Sequence, residues 1–237
     1  YCGALGFVSP GDEAVFSVAI RTSMLDMVRG VGELGIGSGV TADAAADAEY
    51  RECLDKAAFL ARIAEPLQLV ETLLWEEGKG YALLERHLQR LAESAAALGF
   101  CCATDAVKRH LLAATPVREG RHKVRLLLAA DGTVSITSEQ LAPGSYAAVP
   151  VQVTLAMETV DSREPLLFHK TTWRPWYDGV LERYPDCYDV LFCNERGEVT
   201  EGTVHNLVME KAGRLVTPPI DCGLLPGTLR QELLDRG

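Results

Sequence analysis

Leu84-Glu85-Arg86-His87-Leu88-Gln89-Arg90-Leu91 spaces its leucines about one helical turn apart, and Ala95 and Leu98 carry the stripe onward to Gly99. An apolar residue every three or four positions is what a half-buried helix needs, and glycine supplies a left-handed stop, so a helix is predicted over Leu83–Leu98. Upstream, Leu67–Leu74 is a strand candidate. Downstream, Thr104 can N-cap another helix, and Lys123–Ala130 and Thr133–Ser138 flank Asp131-Gly132, the strongest short hairpin signal in the chain. Later strand candidates are Val151–Met157, Asp189–Cys193, Glu198–Met209 and Arg214–Thr217, separated by turns such as Glu195-Arg196-Gly197 and Lys211-Ala212-Gly213. Short strands between turn residues predict a largely antiparallel β region, and the whole reads as α+β.

The first sixty residues read differently. A glycine-punctuated stretch, Gly3 to Gly11, precedes a strand candidate over Ala14–Ile20, and a second strand is expected after it. After Gly35-Ile36-Gly37-Ser38-Gly39 the composition turns to Ala, Asp and Glu, and a helix is predicted over Ala44–Arg62 with Tyr50, Cys53, Leu54 and Ala57 on one face. Pro66 closes this unit. Residues 1–62 are expected as one domain and 63–237 as the next.

Of the 237 residues, 48% are hydrophobic and 24% charged, the composition of a globular protein rather than a disordered or coiled-coil one. A formal net charge of -10 argues against a phosphate-tracking nucleic-acid surface or a polybasic membrane patch, leaving small molecules as the expected partners. Cys2, Cys53, Cys101, Cys102, Cys187, Cys193 and Cys222 are odd in number, lack C-x-x-C spacing and read as reduced thiols. With no long apolar run and no signal peptide, a cytoplasmic location is expected, without a membrane partner. The chain opens on Tyr1, inside what reads as a domain, so a fragment is expected.

Four features bear on chemistry. Lys170 lies in Leu167-Phe168-His169-Lys170-Thr171-Thr172, where apolar surroundings can hold its amine neutral and make it a nucleophile toward an aldehyde; a surface cation is the commoner alternative. Pro226-Gly227 precedes Thr228, with Gln231 three residues on, which predicts a capping-box helix start whose free N–H groups can cradle a phosphate. Arg90 can bring positive charge to that phosphate from the Leu83–Leu98 helix. Glu201 sits in a β-branched stretch, Glu198-Val199-Thr200-Glu201, where an inward carboxylate needs a cationic partner.

Together these residues resemble the class IV aminotransferase family, fold type IV of the pyridoxal-phosphate enzymes, and within it the aminodeoxychorismate lyases. The matched pieces are Leu84–Leu91 with Ser94-Ala95, His169-Lys170-Thr171-Thr172, Glu198–Glu201 leading to Asn206-Leu207, and Thr217-Pro218-Pro219 leading to Leu225-Pro226-Gly227-Thr228-Leu229-Arg230. The resemblance implies a small α/β domain plus a β-rich, barrel-like domain, incomplete at its C-terminus. It implies pyridoxal 5'-phosphate bound as a Schiff base to Lys170, which also moves the substrate α-proton. Arg90 with the Thr228 and Leu229 amides would hold the phosphate, and Glu201 would pair with the pyridine nitrogen. Asn206 and Arg125 are weaker candidates for shaping the site. The implied reaction is cleavage of 4-amino-4-deoxychorismate to 4-aminobenzoate and pyruvate, in folate biosynthesis, by a homodimer. Two alternatives stand beside it: a branched-chain or D-amino-acid aminotransferase of the same fold, and an inactive truncated chain with only a binding or structural role.

Residues 1–62 resemble instead the C-terminal end of chorismate-utilising enzymes such as aminodeoxychorismate synthase component I. The matched pieces are Tyr1–Gly6, Ala19-Ile20-Arg21-Thr22, Gly37-Ser38-Gly39-Val40 and Glu49–Lys56, while Ala44-Ala45-Ala46 replaces that family's Ser-Asp-Pro run. The resemblance implies chorismate-binding roles for Arg21, Ser38, Gly39, Glu49, Glu52 and Lys56. Glu49, Glu52 and Lys56 also share a helix face by spacing, which equally suits a surface ion-pair cluster. Magnesium is implied only for the complete chorismate-binding domain, and no metal site is assigned in this chain. No synthase turnover is expected from this chain alone. A full-length fusion would draw on a glutamine amidotransferase subunit.

Overall fold

Residues 3–11, 13–20, 22–39, 41–61, 66–114, 119–142 and 150–237 are described by a computed structural model, in two units, Tyr1–Pro66 and Leu67–Gly237. In the first, β1 (Ala4–Val8) pairs antiparallel with β2 (Ala14–Val18), and β3 (Ser23–Asp26) with β4 (Val31–Leu34), as two separate hairpins followed by α1 (Ala46–Ala61). β2 ends two residues before the predicted Ile20, where the Ile20 N–H turns back to the Val18 carbonyl at 2.9 Å. α1 begins at Ala46 rather than Ala44, with Asp47 and Glu49 in its first turn. On its predicted apolar face Cys53 and Ala57 are half-buried, but Tyr50 and Leu54 are exposed.

The second unit opens on β5 (Leu69–Glu76) and β6 (Gly80–Tyr81), then α2 (Leu84–Leu98), α3 (Thr104–Ala113), β7 (Arg121–Leu128) and β8 (Val134–Gln140). The strands form one antiparallel sheet in the order β6-β5-β7-β8. Alternate residues of β5 and β7, among them Leu69, Leu73, Val124 and Leu126, meet Leu88, Leu91, Ala95, Val107 and Leu111 of the helices in one buried cluster. The predicted stripe of α2 is thus its buried face, in the small α/β layer pair that the resemblance implies. Gly99 stops α2 at φ 73°, and its N–H bonds to the Ala95 carbonyl. The Asp131-Gly132 turn joins β7 to β8, with Asp131 Oδ1 accepting the Thr133 N–H at 2.9 Å. Thr104 is not the cap of α3: Ala103 takes that position, and Thr104 is the first helical residue.

Beyond this sheet the expected largely antiparallel region is found with one parallel pair, and the expected barrel-like closure is corrected. β9 (Val153–Val160) runs parallel to β10 (Asp189–Asn194), which pairs antiparallel with β11 (Val199–Gly202). The connection from β9 to β10 carries 3-10 turns at Pro165–Phe168 and Leu181–Arg183, long enough to return the chain to the same end of the sheet. The predicted strand Glu198–Met209 breaks after Gly202, and β12 (Met209–Lys211) pairs with β13 (Arg214–Val216) as a separate hairpin. An open three-stranded sheet and a hairpin therefore stand where a barrel was expected, among the described residues. Val160, Leu167, Tyr177, Val180, Val190 and Phe192 form a second buried cluster, and α4 (Thr228–Arg236) ends the chain.

No helix among the described residues is long and apolar enough to cross a membrane. The cysteines among them are free.

Candidate active site

Lys170 is held by its own backbone. Its carbonyl accepts the Val70 N–H at 2.7 Å, Thr171 bridges to Leu69, and the Thr172 N–H reaches the Gln68 carbonyl at 2.9 Å, so the lysine segment docks as a short extra strand on β5. The side chain lines a narrow recess, a cavity of about 10 Å³ partly open to solvent, lined also by His169, Arg174, Trp176, Tyr177, Glu201 and Leu225. Burial, with the nearby charges of Arg174 and Arg90, lowers the Lys170 amine to about 8. Near neutral pH a usable fraction of it is therefore an unprotonated nucleophile. Burial also lowers His169, whose Nδ1 lies 3.0 Å from Ser94 Oγ.

Glu201 is 4% exposed on β11. Its carboxylate accepts hydrogen bonds from Tyr177 Oη at 3.1 Å, the Leu225 N–H at 3.2 Å and Asn206 Nδ2 at 2.8 Å. Burial pushes its pKa up to about 7, against the pull of those bonds and of Arg174 and Lys170. Neutral donors alone do not offset the desolvation of this carboxylate, so a cation arriving beside it is stabilised. Tyr177 is raised in turn, first by its own burial and then by the Glu201 charge. Asn206 keeps its position through a second bond to the Leu225 carbonyl at 3.0 Å. Gly227 packs against Asn206 so closely that a Cβ there would lie 1.7 Å from Asn206 Oδ1.

The turn carrying Glu201 and Asn206 is tied down by Asp189, which accepts from the Thr203 N–H at 2.8 Å, the Thr203 hydroxyl at 2.5 Å and His205 Nδ1 at 2.7 Å. Burial works against the Asp189 charge, but the His205 and Thr203 bonds prevail and hold it at about 2. Gly202 is required here, since a Cβ would meet Asp189 Oδ2 at 2.4 Å.

Arg90 projects inward from α2. It is buried, and forks onto Glu71 through Nε at 2.9 Å and Nη2 at 2.6 Å, with Nη1 3.3 Å from the Pro226 carbonyl. His87 Nδ1 lies 2.6 Å from the same carboxylate, and its Nε2 lies 3.3 Å from Thr228 Oγ1. Burial raises the cost of the Glu71 charge, but the His87 and Arg90 bonds outweigh it and keep its pKa below the usual value. The predicted capping box is corrected as well. Gly227 is the N-cap and Thr228 the first helical residue, so its hydroxyl is turned toward His87 instead of its own backbone. The first-turn N–H groups, that of Leu229 included, have no intrahelical acceptor by position, and the Leu229 side chain is exposed. Arg90, Thr228 and Gln231 border an open cleft of about 340 Å³ at this helix end.

The structure thus gathers Lys170, Arg90, Glu201, Asn206 and Thr228 in one unit. It leaves Arg125 apart: Arg125 is exposed on β7, opposite Thr72, while the buried Glu71 pairs with Leu126. Glu71, His87, Tyr177 and Arg174 were missed by the sequence reading. Glu71 had a signal, since it shares the period-2 parity of Leu69, Leu73 and Trp75 and so falls on the buried face of β5. Tyr177 and Arg174 had none, because their roles depend on contacts with Glu201 and Thr203 more than twenty positions away.

A family model described as amino-transferase class IV matches residues 68–236. The chain belongs to the class IV aminotransferase family. It is 31% identical over 179 residues, 73% of this chain and 75% of the other, to a Schizosaccharomyces pombe protein named "Putative aminodeoxychorismate lyase". It is 32% identical over 119 residues, 49% of this chain and 42% of the other, to a Thermotoga maritima protein named "Probable branched-chain-amino-acid aminotransferase". Among solved structures, a "Putative amino-acid aminotransferase" from Mesorhizobium loti superposes with a TM-score of 0.67 at 39% identity, covering 72% of this chain and 84% of that one. Residues 1–62 match a second model, described as chorismate binding enzyme.

Class IV aminotransferases of this fold use pyridoxal phosphate, and the residues present suit it. A neutral-prone amine, a buried carboxylate with no ion pair among the described residues and an open helix N-terminus near an arginine would suit its aldehyde, ring nitrogen and phosphate.

The chorismate-binding candidates lie in the other unit. Lys56 pairs with Glu52 at 2.5 Å and donates to the Gly37 carbonyl at 3.1 Å, so the ion-pair reading of that helix face is realised for these two. Glu49 and Ser38 are half-buried and Gly39 is exposed, while Arg21 lies outside the described residues. No group of three or more metal-ligating side chains occurs among the described residues.

Proposed function

We propose that Leu67–Gly237 catalyses the pyridoxal-phosphate-dependent cleavage of 4-amino-4-deoxychorismate to 4-aminobenzoate and pyruvate, in a fusion with a chorismate-utilising synthase. The observation that carries the choice of substrate is the match of residues 1–62 to chorismate binding enzymes in the same chain. Two such segments in one polypeptide favour consecutive reactions on one molecule. The Schizosaccharomyces pombe relative supports the same reading by its name.

When bound, the cofactor withdraws electrons from the amine-bearing carbon of the substrate. Lys170 would carry it, and once the substrate's own amine has taken its place the freed Nζ, a free amine lowered to about 8, would accept the proton lost from that carbon. The C–O bond to the enol arm breaks, the ring becomes aromatic, and a proton delivered to the enol carbon completes pyruvate. Glu201, buried and bonded to neutral donors, would pair with the ring nitrogen and favour its protonated form. Arg90 and the first turn of α4 would hold the phosphate, and Glu71 and His87 fix Arg90 and Thr228 in place for it.

Amino-group transfer is the second reading, favoured by the names of the Thermotoga maritima and Mesorhizobium loti relatives. Incubating the cofactor-loaded protein with 4-amino-4-deoxychorismate should release 4-aminobenzoate and pyruvate in equal amounts without a keto acid. Transfer of the amine to an added 2-oxo acid, with no pyruvate from 4-amino-4-deoxychorismate, would sink the lyase reading.

A further inference from the structure

Two guanidinium groups act on Lys170, and they differ in one respect. Arg90 is already neutralised by its fork onto Glu71. Arg174 is half-buried and lines the Lys170 recess, yet no carboxylate lies within ion-pair distance of it among the described residues. Glu201, the acidic group lining the same recess, is bonded to Tyr177, Leu225 and Asn206 instead.

Arg174 is nevertheless held still. Its Nη2 donates to the Thr203 carbonyl at 2.9 Å, and its guanidinium carbon lies 4.6 Å from the centre of the Tyr177 ring. Asp189 anchors Thr203, so the acceptor that orients Arg174 is itself fixed. The remaining N–H donors of Arg174 have no partner among the described residues. A guanidinium oriented in advance, with its other donors open, is the usual arrangement for receiving a carboxylate. Arg174 does not line the cleft beside Thr228, so it is separate from the proposed phosphate seat. Trp176, Leu166 and Leu167 supply apolar walls around it.

We propose that Arg174 receives the carboxylate of the substrate in the Lys170 recess, and so sets the selectivity of the site for amine-bearing carboxylic acids. This rests on the reading of that recess as the place where an amine substrate meets the cofactor. It does not depend on whether that substrate is cyclic or a branched-chain amino acid.

The test is a binding titration of the cofactor-loaded protein, followed by the cofactor's absorbance. The ligands are 4-aminobenzoate, its neutral isostere 4-aminobenzamide, and 4-methyl-2-oxopentanoate with its amide. On the unmodified protein one carboxylate should bind roughly 10- to 100-fold more tightly than its amide, the worth of a charge-assisted hydrogen bond. That preference should vanish in Arg174→Gln and return in part in Arg174→Lys, each titrated on the cofactor-loaded fraction so that any change in loading is read separately. A preference surviving in Arg174→Gln overturns the proposal. So does the absence of any preference in the unmodified protein, a result that needs no variant to fold. If only the oxo acid shows the Arg174-dependent preference, the anchor stands and the lyase reading falls.

Discussion

The two units use similar residues to opposite effect. Among the described residues of Tyr1–Pro66 none is buried, and Phe7, Val15, Phe16, Val18, Met24 and Leu25 are exposed on strands of two-stranded hairpins. In Leu67–Gly237 equivalent residue types fill two clusters, with Leu128, Val190 and Phe192 wholly inaccessible. Strand propensity and turn chemistry are thus enough to draw hairpins, but a pair of strands has no second layer in which to bury a face. Both units carry exposed surface ion pairs, but only the second encloses one among the described residues. Lys56–Glu52 is a partly exposed helical pair, whereas Glu71 is enclosed with Arg90 and His87. Chemistry that needs shifted acid strengths belongs where solvent is excluded, and that is the second unit.

The largest effect should come from Lys170→Ala, which removes the amine of the recess. Borohydride-fixed cofactor on this residue should disappear, and turnover should fall about a thousandfold or more. Retained fixation at Lys170's peptide position or near-normal turnover would put the chemistry elsewhere.

Glu71→Gln should destabilise the protein by about 3–5 kcal/mol in urea titrations, because it strands a buried guanidinium. It should weaken cofactor binding as well, as Arg90 loses its orientation. Phe192→Ala should cost a similar amount, about 3–5 kcal/mol, by opening a cavity in the second cluster.

Glu201 gives a pH test. Its pKa rises from 4.5 to about 7 on folding, so the folded protein holds more protons than the unfolded chain between those values. The contribution of this group is therefore most favourable below pH 4.5 and is lost as the pH rises through about 7. Relative to Glu201→Gln, the cofactor-free protein should lose about 3 kcal/mol of stability between pH 4.5 and 8. Parallel stability curves for the two proteins would show that the carboxylate is not desolvated. Added pyridoxal phosphate should narrow the difference at pH 8, since a protonated ring nitrogen stabilises the charge.

The smallest effect should be that of Phe16→Ala, below about 0.5 kcal/mol in the same urea titrations, since its ring is exposed. A loss comparable to that of Phe192→Ala would mean that the β1–β2 face is covered in solution, and the contrast between the units would need revision.

Much of the scaffold was legible because its signals are local. The leucine stripe marked α2, Gly99 its end and Asp131-Gly132 the β7–β8 turn, each a matter of residues within one or two turns of backbone. Local signals also misled. Threonine before an apolar run reads as a cap, yet Thr104 and Thr228 both lie one position inside their helices. At Thr228 a histidine 141 positions away claims the hydroxyl instead. The β9–β10 pairing was missed for a related reason, since alternation along a strand reports which face is buried and not the direction of its neighbour.

By itself the sequence determined the residue types at the site: one lysine in apolar surroundings, one inward carboxylate, one arginine on a helix and a helix start after Pro-Gly, in the order shared by class IV aminotransferases. Only the tertiary structure decided which charges meet. Glu71 spends its carboxylate on Arg90 and His87, Glu201 is left with neutral donors, and Arg174 is left without a carboxylate among the described residues. The physical reason is that desolvation and charge pairing depend on separation in space, which folding brings about between residues far apart in the chain.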